Sequence, residues 1–256
     1  MNTLPLLAPD EPSPVLVENE AGRSPFVIVC DHASRTLPRS LGDLGLSEAE
    51  LCSHIAWDIG AADVARLMAQ ELDAALFLQQ YSRLVIDCNR PLTAPDSIPE
   101  VTGGIVVPGN QALTPELKEE RRRAIFQPYH ECVAAALAKR GPTRPYILIT
   151  LHSFTPELYG TVRPFHAGVL YNADRRFALP VLEQLREDRS LVVGDNAPYA
   201  ADEKTDYAII EYAEKGGHPY VEMEVRQDLI TEAAGQQAWA QRLVQVMRAA
   251  QRSLSI

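Results

Sequence analysis

The stretch that most constrains the fold is residues 146–154, Tyr-Ile-Leu-Ile-Thr-Leu-His-Ser-Phe. A run of apolar and β-branched residues without a polar face reads as a strand buried on both sides of an α/β sheet. It rises to His152 and stops at the polar, proline-containing residues 153–156. Residues 25–30 have the same design and are followed by Asp31-His32-Ala33-Ser34. Ligands bind at the carboxyl edge of such sheets. Two strands that each end in a histidine therefore suggest a metal site, with His32 and His152 as ligands.

The remaining pattern alternates strand and helix. Further strands are predicted over residues 75–78, 84–87, 167–171, 191–194 and 219–225. Ser47-Glu48-Ala49-Glu50 has capping-box form and should start a helix. Other helices are predicted from Asp58 through Leu72, from Thr114 to about Lys139 with a bend near Pro128, and over residues 177–187, 205–214 and 232–252. Residues 91–109 are rich in proline and glycine with no helix or strand period, the mark of a functional loop. Residues 1–14 hold four prolines and read as an extended arm, leaving residues 15–256 as a single domain. The fold expected is α/β, a three-layer α/β/α sandwich on a mostly parallel central sheet.

Composition narrows the function. The 256 residues carry a formal charge of -10, which argues against nucleic acid or an anionic membrane as the main partner. Arg121-Arg122-Arg123 then reads as a solvated helix face rather than a nucleic-acid patch. No apolar run is long enough to span a bilayer. The four cysteines, Cys30, Cys52, Cys88 and Cys132, form no CxxC pair, and no signal peptide is visible. A cytoplasmic protein is expected.

Four stretches at strand ends carry candidate chemistry: residues 31–35, 87–90, 151–154 and 222–226. Imidazoles bind zinc directly, and a catalytic zinc needs a third protein ligand and an open position. A carboxylate beside that position can take the proton of the attacking water. An arginine can grip a substrate carboxylate by a two-pronged, charge-assisted bond.

Taken together these stretches resemble the N-formylglutamate amidohydrolase family, and more distantly the zinc carboxypeptidases, over about residues 15–229. Asp31-His32-Ala33-Ser34-Arg35 corresponds to the segment of the first zinc histidine, and Leu151-His152-Ser153-Phe154 to that of the late one. Asp87-Cys88-Asn89-Arg90 is similar to an Asp-x-Asn-Arg segment whose arginine helps bind the substrate carboxylate, and Val221-Glu222-Met223-Glu224 to the strand bearing the general base. The resemblance implies a zinc-carboxypeptidase-like fold and one zinc ion. It implies hydrolysis of a small N-acyl amino acid such as N-formylglutamate.

The chain departs from the carboxypeptidase pattern at Arg35, where a zinc-binding glutamate would stand three residues after the first histidine. A guanidinium cannot ligate zinc. Asp58 is the replacement candidate, although it is equally suited to cap the helix that follows it. Glu224 is expected as general base because it lies nearer the strand's carboxyl end than Glu222. Arg90 and Asn89 are the first candidates for substrate binding, with Arg163, Arg83 and Ser34 beside them. His54, His130 and His218 read as surface or structural residues, His54 with a second option as a support near Asp58, and His166 as a site-edge residue. The alternatives are the same scaffold acting on another N-acyl amino acid or a short peptide, and a non-catalytic ligand-binding relative. Oligomeric state is not encoded in any feature of the sequence.

Overall fold

The computed structural model describes residues 5–141 and 144–254. Seven strands form one mixed, mostly parallel sheet: β1 Val15–Glu18, β2 Phe26–Cys30, β3 Ala75–Gln79, β4 Ile147–Phe154, β5 Ala167–Leu170, β6 Val193–Asp195 and β7 Tyr220–Arg226. Their order is β1-β3-β2-β4-β7-β5-β6. Strands β3, β2, β4 and β7 run parallel, while β1 pairs antiparallel with β3, and β5 antiparallel with β7. Besides a single-turn helix, Glu48–Leu51, the helices are α1 Ala61–Leu72, α2 Pro115–Arg121, α3 Gln127–Arg140, α4 Ala178–Glu187, α5 Tyr207–Tyr212 and α6 Ala233–Ser253. A π-helical segment, Arg122–Phe126, joins α2 to α3 immediately before Pro128, which lies in the first turn of α3.

Alternation along the strands assigns the layers. Ile28, Leu76, Ile149 and Met223 pack with α1, α4 and α6 on one face of the sheet. Val29, Phe77, Leu148 and Tyr220 pack on the other face with Tyr129, Val133 and Ile209 of α3 and α5. Both faces of β4 are covered, which is why its sequence lacks a polar face. On β7, Val221, Met223 and Val225 join the first layer, so Glu222 and Glu224 point to the second. In the parallel register Glu224 lies beside His152 and Glu222 beside Thr150.

The α/β/α expectation holds, and several local expectations are corrected. Residues 84–87 form a turn rather than a strand, with the Asp87 N–H bonded to the Ser97 carbonyl at 2.7 Å. The helix expected over 205–214 shortens to α5 and a 3₁₀ turn, Glu214–Gly216. The loop 91–109 contains a small hairpin, Val101–Thr102 with Ile105–Val106. The arm is held down: Leu6 is buried, and the Pro12 carbonyl accepts from the Tyr81 hydroxyl at 2.8 Å. Residues 1–4 of that arm lie outside the described residues. Among the described residues no helix is long and apolar enough to cross a membrane.

Arg121 is the sharpest local correction. It is only 2% exposed and donates to the Val85 carbonyl at 2.9 Å and to Asn110 Oδ1 at 2.6 Å. The run of three arginines concealed this, because only the first points into the loop that follows β3. Its burial pulls the guanidinium pKa down to about 10. Arg121→Ala removes these bonds and a third, to the Gly109 carbonyl at 3.3 Å, and is expected to lower unfolding free energy by about 1–3 kcal/mol in denaturant titration. A loss within the error of a surface substitution would return Arg121 to a solvated role.

Candidate active site

The turn Gly42–Leu46 and the single-turn helix Glu48–Leu51 bring the chain towards the carboxyl edge of β2 and β4. Ser47 caps that turn reciprocally with Glu50, as its sequence pattern requires. The backbone then pairs Asp58 N–H with the His32 carbonyl at 2.9 Å and turns through Gly60 at φ 77° into α1. A Cβ on Gly60 would lie 2.1 Å from the Ile230 carbonyl oxygen, so the close turn requires glycine there. No side chain caps α1. The Asp58 carboxylate is turned away from the helix towards the two histidines.

Asp58 Oδ2 lies 2.9 Å from His152 Nδ1 and 3.4 Å from His32 Nδ1, and accepts from the Ser153 N–H at 3.3 Å. His32 Nε2 lies 2.7 Å from Asp87 Oδ1, and the other Asp87 oxygen accepts from Arg83 at 2.8 Å. Arg83 also reaches Asp58 Oδ1 at 3.4 Å. Asp58, His32, Asp87 and Arg83 thus form a closed ring of charge-assisted contacts. His32, Asp58 and His152 each offer a buried ligand atom, and the three atoms lie within 4.8 Å of one another.

Burial and charge oppose each other here. Burial alone would push the Asp58 carboxyl up, but both imidazoles hold it far below the usual carboxylate range. Burial pulls His152 down, yet the Asp58 hydrogen bond with the Glu222, Asp58 and Glu224 charges raises it to about 10. Burial and Arg83 lower His32, and Asp87 and Asp58 more than offset them. Burial raises Glu224 to about 7, opposed by the neighbouring His152. Glu222 is pushed up by burial and then by the charge of Asp206. Glu224 Oε2 and His152 Nε2 are buried without a partner among the described residues.

These groups border a cavity of about 370 Å³, within the range that suits a small metabolite. Arg83, Asn89, Arg90 and His54 line it, as do His152 and Glu224. Arg90 donates to Asp96 at 3.0 Å and to the Thr205 carbonyl. The Asn89 side-chain oxygen accepts from Ala208 N–H at 3.0 Å and anchors the start of α5. Arg163 sits behind the wall, bonded to the Tyr199 hydroxyl at 2.7 Å and stacked near that ring. Ser34 is off the cavity, its hydroxyl 3.0 Å from Thr36. Arg35 pairs with Glu48 at 2.7 Å on the surface. His166 is also off the cavity, its Nδ1 accepting from the Val192 N–H.

Sequence reasoning missed the work of Asp87 and Tyr199. Asp87 stands first in Asp-Cys-Asn-Arg, and its acidity two residues before Asn89 was the available signal. Tyr199 lies in a stretch, Pro198 to Thr205, with no helix or strand period. His54 proves to be half-buried in the cavity wall rather than on a helix surface.

A family model described as N-formylglutamate amidohydrolase matches residues 24–231. The crystal structure of a gene product from Agrobacterium tumefaciens is similar with TM-score 0.94 at 37% identity, covering 97% of this chain and 98% of that one. An N-formylglutamate amidohydrolase from Ralstonia eutropha JMP134 is similar with TM-score 0.67 at 17% identity, covering 94% of this chain and 98% of that one. At that identity the second likeness speaks for the fold. No curated protein matches the chain.

The histidine environment has a measurable consequence. His152 has a folded pKa above its unfolded one, so its stabilisation is complete below about pH 6.5 and is lost as pH rises through about 10. NMR of the metal-free protein should find the His152 ring protonated at pH 7, and Asp58→Asn should lower its pKa. A native ring titrating at or below the ordinary histidine value would contradict this electrostatic reading.

Proposed function

The chain belongs to the N-formylglutamate amidohydrolase family, and from that membership we propose a metal-dependent amide hydrolase acting on a small N-acyl amino acid, N-formylglutamate or a close analogue. The observation that carries the proposal is the convergence of His32 Nδ1 and His152 Nδ1 on Asp58 Oδ2, with Glu224, whose Oε2 has no partner among the described residues, beside His152 in the sheet.

The residues fit one divalent ion, zinc by preference. Two imidazoles and one carboxylate are a donor set zinc accepts, and it leaves a position open for chemistry. Asp87 holds His32 Nε2, which leaves Nδ1 as the nitrogen facing Asp58. A carboxylate on the far nitrogen of a ligating histidine fixes ring orientation and raises basicity. When bound, such an ion polarises a carbonyl oxygen and acidifies water.

The chain's own groups supply the remaining steps. Glu224 accepts the proton of the attacking water and then delivers it to the departing amine nitrogen. A carboxyl poised near neutrality suits both transfers. Arg90 and Arg83 border the space in which a substrate carboxylate would lie, and Asn89 fixes the α5 end of that wall. Arg163 acts through Tyr199, and Ser34 has no contact with the cavity that would give it a part.

One observation favours the variant reading, another N-acyl amino acid or a short peptide. Arg83 and Arg90 already hold carboxylates of the protein, and Asp206 and Glu222 share the same cavity. Four free cysteines accord with a cytoplasmic enzyme.

Three outcomes test the proposal. Protein purified without added metal should hydrolyse a member of an N-acyl amino acid panel and lose that activity on chelation. A metal-free chain that cleaves the panel equally well would refute metal dependence. Glu224→Gln should remain folded and lose about 10²–10⁴-fold in turnover. Collapse in Glu222→Gln with near-normal Glu224→Gln would assign the proton to the other carboxylate. Arg90→Lys should raise KM for carboxylate-bearing substrates, because it keeps the charge but loses the planar fork. Unchanged KM for acidic and amidated substrates would remove Arg90 from binding.

A further inference from the structure

The strands β2 and β4 have a second end, and a cluster of arginines gathers there. Arg140 closes α3, Arg144 follows it, and Arg23 precedes β2. With Ser24, Pro25 and Tyr146 they line a cavity of about 240 Å³ at the amino edge of the sheet. That is the edge opposite His32 and His152. No carboxylate among the described residues lines this cavity.

The arginines are only partly used by the fold. Arg140 gives one Nη2 donor to the Ser24 carbonyl, and Arg144 gives one to the Gly22 carbonyl at 3.2 Å. An arginine in a helix's last turn ordinarily spends its donors on carbonyls in this way. Arg140 Nε and Nη1, however, are shut off from solvent and have no partner among the described residues. Burial and then the like charge of Arg144 both push the Arg140 guanidinium down. Arg23 has only an exposed contact with Asp73 at 3.5 Å. In a chain of net charge -10, three arginines around one cavity without a lining carboxylate among the described residues are out of character.

From Arg140, Arg144 and Arg23 around one cavity that no carboxylate of the described residues lines, we propose a binding site for a phosphate-bearing small molecule at the amino edge of the sheet. A guanidinium fork matches phosphate oxygens bidentately. A dianion beside Arg140 and Arg144 relieves their mutual repulsion. Ser24 and Gln251 border the same space. The site is independent of the amide-hydrolase reading, since none of its residues borders the catalytic cavity.

Inorganic phosphate is the probe, titrated calorimetrically into the full-length protein with chloride at matched ionic strength as control. The native chain should bind one phosphate saturably and gain thermal stability from it. Arg144→Glu places a carboxylate at an exposed edge of the cavity, so folding is not at risk. It should weaken phosphate at least about tenfold and raise the unfolding midpoint of the ligand-free protein. Arg140→Lys, which keeps the charge but loses the fork, should also bind phosphate less tightly. Amide hydrolysis should be unchanged in Arg144→Glu. Absence of saturable binding in the native protein would overturn the proposal. Equal phosphate affinity in Arg144→Glu, as expected for an anion held at the histidine cluster, would overturn it too.

Discussion

The Asp58 carboxylate is the contact on which the catalytic end of the molecule depends. A buried carboxylate is tolerated only where charge and hydrogen bonds replace its hydration. Asp58 has both imidazoles, the Ser153 N–H and Arg83 around it. Those partners come from the end of β2, the end of β4 and the turn after β3, so one side chain ties three segments distant in sequence. Removing it would leave His152 without its hydrogen-bonded carboxylate and Asp87 as the one carboxylate bonded to His32 and Arg83 among the described residues. The same convergence of one carboxylate and two imidazoles on a point is the donor set a divalent cation accepts once the imidazoles release their protons.

The sheet makes this convergence possible. Parallel pairing of β2, β4 and β7 delivers His32, His152 and Glu224 to the same edge. The two-residue alternation of β7 sends Glu222 and Glu224 to the face that carries His152. The first layer, built on α1, α4 and α6, packs an apolar cluster against the back of the sheet. The second layer must accommodate polar groups, and it does so with long networks. Tyr129 donates to the buried Asp31 at 2.7 Å, and His130 bonds the Tyr212 hydroxyl. Asp31 is the residue before His32, so α3 braces the strand end that carries it.

Much of this was legible from local pattern. The two histidine-ended strands, the alternating β7 and the Ser47 capping box are short-range signals, and each forms where its residues demand. The fate of Asp58 was not legible, because cap and metal ligand are both roles for an aspartate before a helix. Gly60 takes the capping position instead, and only the tertiary fold brings the histidines within reach of the carboxylate. Residues 84–87 look like a strand because they are apolar, yet Val85 and Ile86 bury themselves against other loops and α3 rather than in the sheet. Arg121 misleads for a related reason. A guanidinium that satisfies buried carbonyls or carboxylates has the same one-letter signature as one in solvent.

Anomalous diffraction from crystals of the zinc-loaded protein tests the central claim most directly. The account expects one ion about 2 Å from His32 Nδ1, His152 Nδ1 and an Asp58 oxygen, with Glu224 outside the ligand shell. Zinc bound elsewhere, or held by the histidines with Asp58 turned back towards α1, would contradict it.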